Sequence, residues 1–201
     1  MANVELTMQN LEKRGFRTSR FPNREAAAEY LLQEIGDKAV GIGGSITILE
    51  LDLYDRLPAS ARGDAFWHWK QDHNILAQAN AAPVYLMSAN GVSETGVIVN
   101  IDGNSNRVVN SLFHTERLYM VIGVNKIAPT AEMALWRARN IAAPKNARRL
   151  GKNTPCALSE DAKCNDCDSP ERICRSFVTL ERRPGGVPHF EVVIVDEALG
   201  Y

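Results

Sequence analysis

The chain has 201 residues, 45% of them hydrophobic and 23% charged, with 23 basic against 24 acidic side chains and a net charge of −1. Those proportions belong to a globular domain long enough to bury a core without disulfides. The balanced charge argues against a nucleic-acid binder or a protein held on anionic membranes, and the longest apolar runs, 97–101 and 118–124, fall well short of the roughly 18 residues a membrane span needs.

The first residues, Met1-Ala2-Asn3-Val4-Glu5, lack the basic start and apolar stretch of a secretory signal. A cytoplasmic location is therefore expected, where four cysteines stay reduced and structural disulfides are uncommon.

Helix-period and strand-period segments alternate along the chain. Residues 6–13 read as a polar helix and 16–21 as a strand. Asn23 is a candidate N-cap, with Ala26, Tyr30, Leu31 and Ile35 at helical spacing behind it and Gly36 as the stop. An apolar strand at 38–42 runs into Gly43-Gly44-Ser45, followed by a helical or turn-rich segment over 46–57. Residues 60–74, with Trp67, His68, Trp69 and His73 among charges, read as an excursion over the surface. The two tryptophans, taken as surface aromatics, are candidates for an interface between copies of the chain.

A short helix is predicted at 74–80, strands at 84–88, 97–101 and 118–123, and a helix at 130–140. Residues 148–175 are loop-like. Two closing strands, 176–181 and 190–195, are joined by Arg182-Arg183-Pro184-Gly185-Gly186-Val187-Pro188 and read as an antiparallel hairpin. The pattern predicts one α/β domain over 1–201, with an open, mostly parallel sheet, flanking helices and that terminal hairpin.

Polar residues gather where predicted strands end, the place where open α/β sheets bind ligands. Gly41-Ile42-Gly43-Gly44-Ser45-Ile46-Thr47 leaves a strand and enters a helix. Its glycines permit close approach, its free N–H groups and hydroxyls favour an anion, and Glu50 stands three after Thr47 as in a capping box. A tight, well-capped turn with no ligand explains the run equally well. Further along, Asn106 and Arg107 follow the Asp102-Gly103-Asn104 turn, and Asn125-Lys126 follows the strand ending at Gly123. A guanidinium fork matches a carboxylate or phosphate. The candidate ligand-binding set is thus Gly43, Gly44, Ser45, Thr47, Glu50, Asn106, Arg107, Asn125 and Lys126, and the ligand a small anionic metabolite. No Ser/His/Asp set is evident, and His114 is the histidine nearest this region.

All four cysteines lie in one stretch, Cys156, Cys164, Cys167 and Cys174, spaced C-x7-C-x2-C-x6-C. Four thiolates suit a tetrahedral zinc or an iron–sulfur cluster, and turn formers such as Asn165, Asp166 and Pro170 let the chain wrap such a centre. Residues 150–175 are accordingly read as a metal-binding loop. Redox-active thiols, with Cys164 and Cys167 as the pair, are the competing reading.

Several of these motifs, in this order, resemble the LUD family, the domain associated with lactate utilisation. They are Gly41-Ile42-Gly43-Gly44-Ser45-Ile46-Thr47-Ile48-Leu49-Glu50, Val99-Asn100-Ile101-Asp102-Gly103 with Asn106-Arg107-Val108, Val121-Ile122-Gly123-Val124-Asn125-Lys126-Ile127, and Ala143-Pro144-Lys145-Asn146-Ala147-Arg148-Arg149 with the cysteine loop. The last resembles a single-domain branch of the family. The resemblance runs from about Phe16 to the end of the sequence. It implies a fold like ribose-5-phosphate isomerase, CoA transferases and 5-formyltetrahydrofolate cyclo-ligase. It also implies a redox component or accessory in the oxidation of lactate or a similar 2-hydroxy acid, acting with iron–sulfur partner proteins. That context tilts the cysteine site toward an iron–sulfur cluster. The alternative is a non-redox ligand-binding or regulatory module with structural zinc. CoA transfer is disfavoured, because Ala89 precedes Asn90-Gly91 where those enzymes place a glutamate nucleophile. An isomerase- or transferase-like activity would need Glu50 or Glu94 in the cleft.

Overall fold

The computed structural model describes residues 2–57 and 64–201. Helix α1 (Val4–Lys13) opens at Asn3, whose side chain accepts from the Leu6 amide. Strand β1 (Arg17–Phe21) follows, then α2 (Arg24–Ile35). The α2 caps are those read from the sequence: Asn23 accepts from Ala26 N, and Gly36 turns at φ 58°, a conformation open to glycine. Strand β2 (Val40–Ile42) leads into two short helices, α3 (Ile46–Glu50) and α4 (Leu53–Arg56). Next come β3 (Ala65–Phe66), α5 (Leu76–Ala81), β4 (Val84–Met87), β5 (Gly91–Ser93), β6 (Ile98–Asp102), β7 (Arg117–Gly123) and β8 (Ile127–Ala128). Helix α6 (Ala131–Arg137) passes through a π turn, Ala138–Ala142, into α7 (Ala143–Arg149). Helix α8 (Pro155–Leu158) and strands β9 (Ser176–Leu180) and β10 (His189–Val195) complete the chain.

Six strands form one sheet in the order β1-β10-β7-β4-β2-β3, with every pairing parallel. Side chains alternate across it. Val40, Leu86, Val121 and Val193 face a core shared with α2, α3 and α4. Tyr85, Met87, Met120 and Phe190 face a second core shared with α1 and with a smaller sheet. That sheet, ordered β8-β5-β6-β9, is mixed. Strands covered on both faces are near-continuously apolar, as parallel strands must be.

The predicted α/β architecture and parallel sheet stand. The terminal hairpin does not. β9 pairs antiparallel with β6 in the small sheet, whereas β10 enters the large sheet between β1 and β7 and runs parallel to both. Residues 182–188 therefore cross between sheets. The reason lies in the strands themselves. β9 is half-buried in alternation, whereas six consecutive residues of β10 are buried. A hairpin would have left that two-faced strand at an edge.

Three further differences bear on the site. Trp67 is 1% exposed, not a surface aromatic, because β3 adds to the sheet edge and carries it in beneath Tyr54. Residues 58–63, of which 60–63 belong to the expected surface excursion, lie outside the described residues, as does the His73 side chain. The helix predicted at 130–140 runs on to Arg149, passing through the π turn Ala138–Ala142 just before Pro144. Among the described residues no helix is long and apolar enough to cross a membrane.

The chain leaves β2 outward to β3 and leaves β4 in the opposite direction, to β7. The segment after β2 packs Ile48, Leu51 and Leu53 on one face of the sheet, and the segment after β4 packs Val92 and Ile98 on the other. Beyond the carboxyl ends of β2 and β4 the two segments part, and such switch points open crevices.

Candidate functional site

A cleft of about 590 Å³ occupies that crevice. Ser45 and Thr47 line it from the end of β2, Ser88 and Asn90 from the end of β4, and Lys126 from the end of β7. The far wall belongs to the cysteine loop, through 170–173 and Arg175.

Lys126 forms the floor. It is 4% exposed, and its Nζ donates to Thr47 Oγ1 at 2.7 Å, Ser88 Oγ at 2.9 Å and the Ala89 carbonyl at 3.1 Å. Both hydroxyls pass their own protons on, Ser88 to the Val121 carbonyl at 2.6 Å and Thr47 to the Leu199 carbonyl at 3.4 Å. Each thus meets Lys126 with a lone pair, so the site fits an ammonium with three acceptors. Among the described residues no carboxylate forms an ion pair with Lys126. Burial, reinforced by the charges of Arg137 and Arg107, pushes its pKa down to about 7. Arg137, on α6, is a second buried cation. It donates to the Asn125 carbonyl at 2.9 Å and the Asn90 carbonyl at 2.5 Å, and burial lowers it to about 10. Two buried positive charges thus stand near the cleft floor, hydrogen-bonded to hydroxyls and carbonyls, and the charge of Glu50 only partly offsets the shift at Lys126.

The walls carry the same sign. Arg107, Arg149, Lys152, Arg172 and Arg175 join Lys126, against the carboxylates of Asp102 and Glu171. Both carboxylates are already engaged. Asp102 Oδ2 faces Arg107 Nε at 3.3 Å, and Glu171 accepts from the Asn153 amide at 2.7 Å.

The candidate ligand residues divide. Gly44, Ser45, Thr47, Asn106, Arg107 and Lys126 line the cleft; Gly43, Glu50 and Asn125 do not. Arg107 is spent on the protein. Its Nη atoms donate to the carbonyls of Ser88 and Ile101 and to Asn100 Oδ1 and Asn90 Oδ1, while Nε faces Asp102. It ties the ends of β4 and β6 together and offers the cleft its field rather than free donors. Asn125 clasps the Leu199 backbone with both side-chain atoms. Ser45, not Thr47, caps α3, and Glu50 accepts from the Gly200 amide, so no capping box forms.

The glycines of the run answer mainly to packing. A Cβ on Gly41 would meet the Ala79 carbonyl at 1.9 Å, one on Gly43 would meet Arg107 Cγ at 2.8 Å, and one on Gly44 the Trp69 indole at 3.0 Å. His114 is exposed and lies outside the cleft. Glu94 accepts from the Asn3 amide and lies outside it too.

Sequence reasoning missed Trp69, Arg149, Lys152, Arg172 and Arg175 as cleft residues. The indole of Trp69 stacks on Trp67 and lies 4.7 Å under the Arg149 guanidinium. Only a clustering of Arg and Lys after Pro144 hinted at this wall.

All four cysteines border one small void of about 20 Å³. They are half-buried and unpaired by disulfide. Burial pushes the Cys174 thiol up to about 11, and the charges of Cys164, Cys156 and Cys167 add to the shift, as expected where four sulfurs converge. Among the described residues no three or more His, Cys, Asp or Glu side chains are arranged to hold a metal ion. Arg172 brackets the loop, donating to the carbonyls of Cys174 at 2.8 Å and Cys167 at 2.7 Å and to Asp166 Oδ1. Ala143, Arg172 and Ile173 line both the void and the cleft, so the two share a wall.

The LUD domain family matches residues 4–195. The chain belongs to that family. LUD membership supports a role related to lactate utilisation in general terms. A crystal structure of a DUF162 family protein from Deinococcus radiodurans superimposes with a TM-score of 0.58, covering 96% of this chain and 95% of that one at 13% identity. At that identity the likeness speaks to the LUD fold alone. No curated protein matches the sequence.

Proposed function

We propose that this LUD protein is a redox component or accessory in the oxidation of lactate or a similar 2-hydroxy acid, binding the acid in the cationic cleft beside a four-cysteine centre. The observation that carries the reading is the wall shared by cleft and cysteine void. Oxidation of a 2-hydroxy acid to a 2-oxo acid releases two electrons and two protons, so an electron-accepting group within one wall's thickness of the bound acid is what the reaction needs.

The donor set of Cys156, Cys164, Cys167 and Cys174 suits a four-thiolate centre, and ligation would draw the four side chains inward around the void. An iron–sulfur cluster held there would supply one-electron acceptance, used twice for each acid oxidised, with the two protons released to solvent. Electrons would then pass to iron–sulfur partner proteins. Lys126 would pair with the carboxylate of the acid by turning the N–H of its longest bond, to the Ala89 carbonyl, toward the cleft, and the hydroxyls of Ser88 and Thr47 would fix the ammonium that does so.

Iron, zinc and acid-labile sulfide content, with a visible spectrum on protein purified without oxygen, tests the centre. Iron and sulfide in comparable amounts, with broad absorption near the blue end, is the expected result. About one zinc per chain in colourless protein would favour the non-redox module with a structural site. Free, titratable thiols with no metal would sink the metal centre and turn attention to Cys164 and Cys167 as a thiol switch.

A further inference from the structure

The cleft is larger and more positive than a three-carbon acid requires. A volume near 590 Å³ lies within the roughly 300–1,000 Å³ of sites for ligands of drug size. One carboxylate on Lys126 would leave Arg149, Lys152 and Arg175 unanswered, since Asp102 pairs with Arg107, Arg172 pairs with Asp166 and Glu171 accepts from the Asn153 amide.

Those cations are not uniform in depth. Lys126, Ser88 and Thr47 are buried at the floor, whereas Arg149 and Arg175, exposed, and Lys152, half-exposed, mark the solvent-facing mouth of the same cleft. The mouth cations are also uncommitted. Arg149 spends Nε and Nη2 on Asn146 Oδ1 and keeps Nη1 unbonded, its guanidinium held flat on the Trp69 ring. Arg175 spends Nε and Nη2 on the carbonyls of Arg172 and Pro170 and likewise keeps Nη1. Among the described residues, none of the three forms an ion pair. Positioned guanidinium groups with spare donors suit a phosphate, whose three oxygens accept several charge-assisted hydrogen bonds.

We infer that the cleft has two anion subsites, a floor at Lys126 for a carboxylate and a mouth formed by Arg149, Lys152 and Arg175 for a phosphate, so that its ligand is a phosphorylated small acid. This rests on the reading of the cleft as the acid site and adds the ligand's second charge.

A matched pair of probes isolates the mouth. 3-Phosphoglycerate is lactate carrying a phosphate on its third carbon. Calorimetric titration of the full chain with each compound is expected to give an affinity for 3-phosphoglycerate about tenfold to a hundredfold above that for lactate. The double variant Arg149→Ala/Lys152→Ala removes side chains from the surface. It is expected to melt like the parent and to lose most of the phosphate advantage, read as the ratio of the two affinities. Equal affinities for the two probes, or an advantage that survives in the double variant, overturn the mouth subsite while leaving the floor standing. No binding of either probe overturns both the mouth and the acid-binding reading beneath it.

Discussion

Lys126→Met is expected to stabilise the domain by about 1–4 kcal/mol at pH 6.5, the range seen when buried charges give way to apolar groups of similar volume. The side chain is buried and, among the described residues, forms no ion pair with a carboxylate, so that burial outweighs the favourable charge of Glu50 and folding works against its charge. Its folded pKa, about 7, lies below the ordinary 10.5. As pH falls from 10.5 toward 7, the unfolded chain takes up the proton before the folded one does, and stability declines across that window. The destabilisation is complete below pH 7 and absent above 10.5. The gain from Lys126→Met must therefore be large at pH 6.5 and shrink toward pH 9.5, which urea denaturation at the two pH values reads directly. Ser88 and Thr47 tolerate the change because each still donates its own proton to a carbonyl. A methionine variant less stable than the parent at pH 6.5 would mean that the three hydrogen bonds outweigh the burial of charge. A more stable protein that binds no acid would mark Lys126 as a residue kept for its ligand at the expense of stability.

Cys164→Ser combined with Cys167→Ser is expected to abolish metal binding while leaving the two-sheet body folded. The main cores are built without cysteine; only Cys174 packs against a buried cluster, on the far side of the small sheet. The loop is different, since a four-thiolate centre contributes folding energy to the segment that wraps it. Limited proteolysis should cut the variant between 150 and 175 well before the body. Acid affinity should fall as well, by several-fold, because Arg172 brackets Cys167 and Cys174 and stands in the shared wall. A variant as protease-resistant in the loop as the parent, with unchanged acid affinity, would separate the cysteines from the cleft.

Much of this arrangement is legible in the sequence where residue chemistry is local. Asn23 and Gly36 bound α2 because caps depend on a few neighbouring atoms. The strand ends at Gly43, Ser88 and Gly123 lead to the cleft because parallel sheets place ligands there. Sheet membership is not local. Residues 190–195 look like one arm of a hairpin after Pro184-Gly185-Gly186, and only their unbroken apolar character signals a central strand. Two-residue strands such as β3 and β8 carry too little pattern to be read, and β3 is what buries Trp67. The same limit governs function. Arg107 has the right chemistry for an anion, yet Asn90, Asn100 and Asp102 consume it, and those partners come from β6 and from the turn between β4 and β5. Lys126 is the cation buried at the cleft floor, and its depth becomes evident only once β2, β4 and β7 stand side by side.

The most direct test of the account is proton uptake on acid binding. Titrating the intact protein with lactate and with pyruvate at pH 6.5 and pH 8.5, in buffers of different ionisation enthalpy, measures how many protons enter the complex. A carboxylate resting on Lys126 restores its charge, so binding at pH 8.5 should take up close to one proton and weaken by about tenfold per pH unit above pH 7. Little uptake is expected at pH 6.5, where the ammonium is already formed. Acid binding with no proton uptake and no pH dependence across this range would contradict the account and remove Lys126 from the floor of the site.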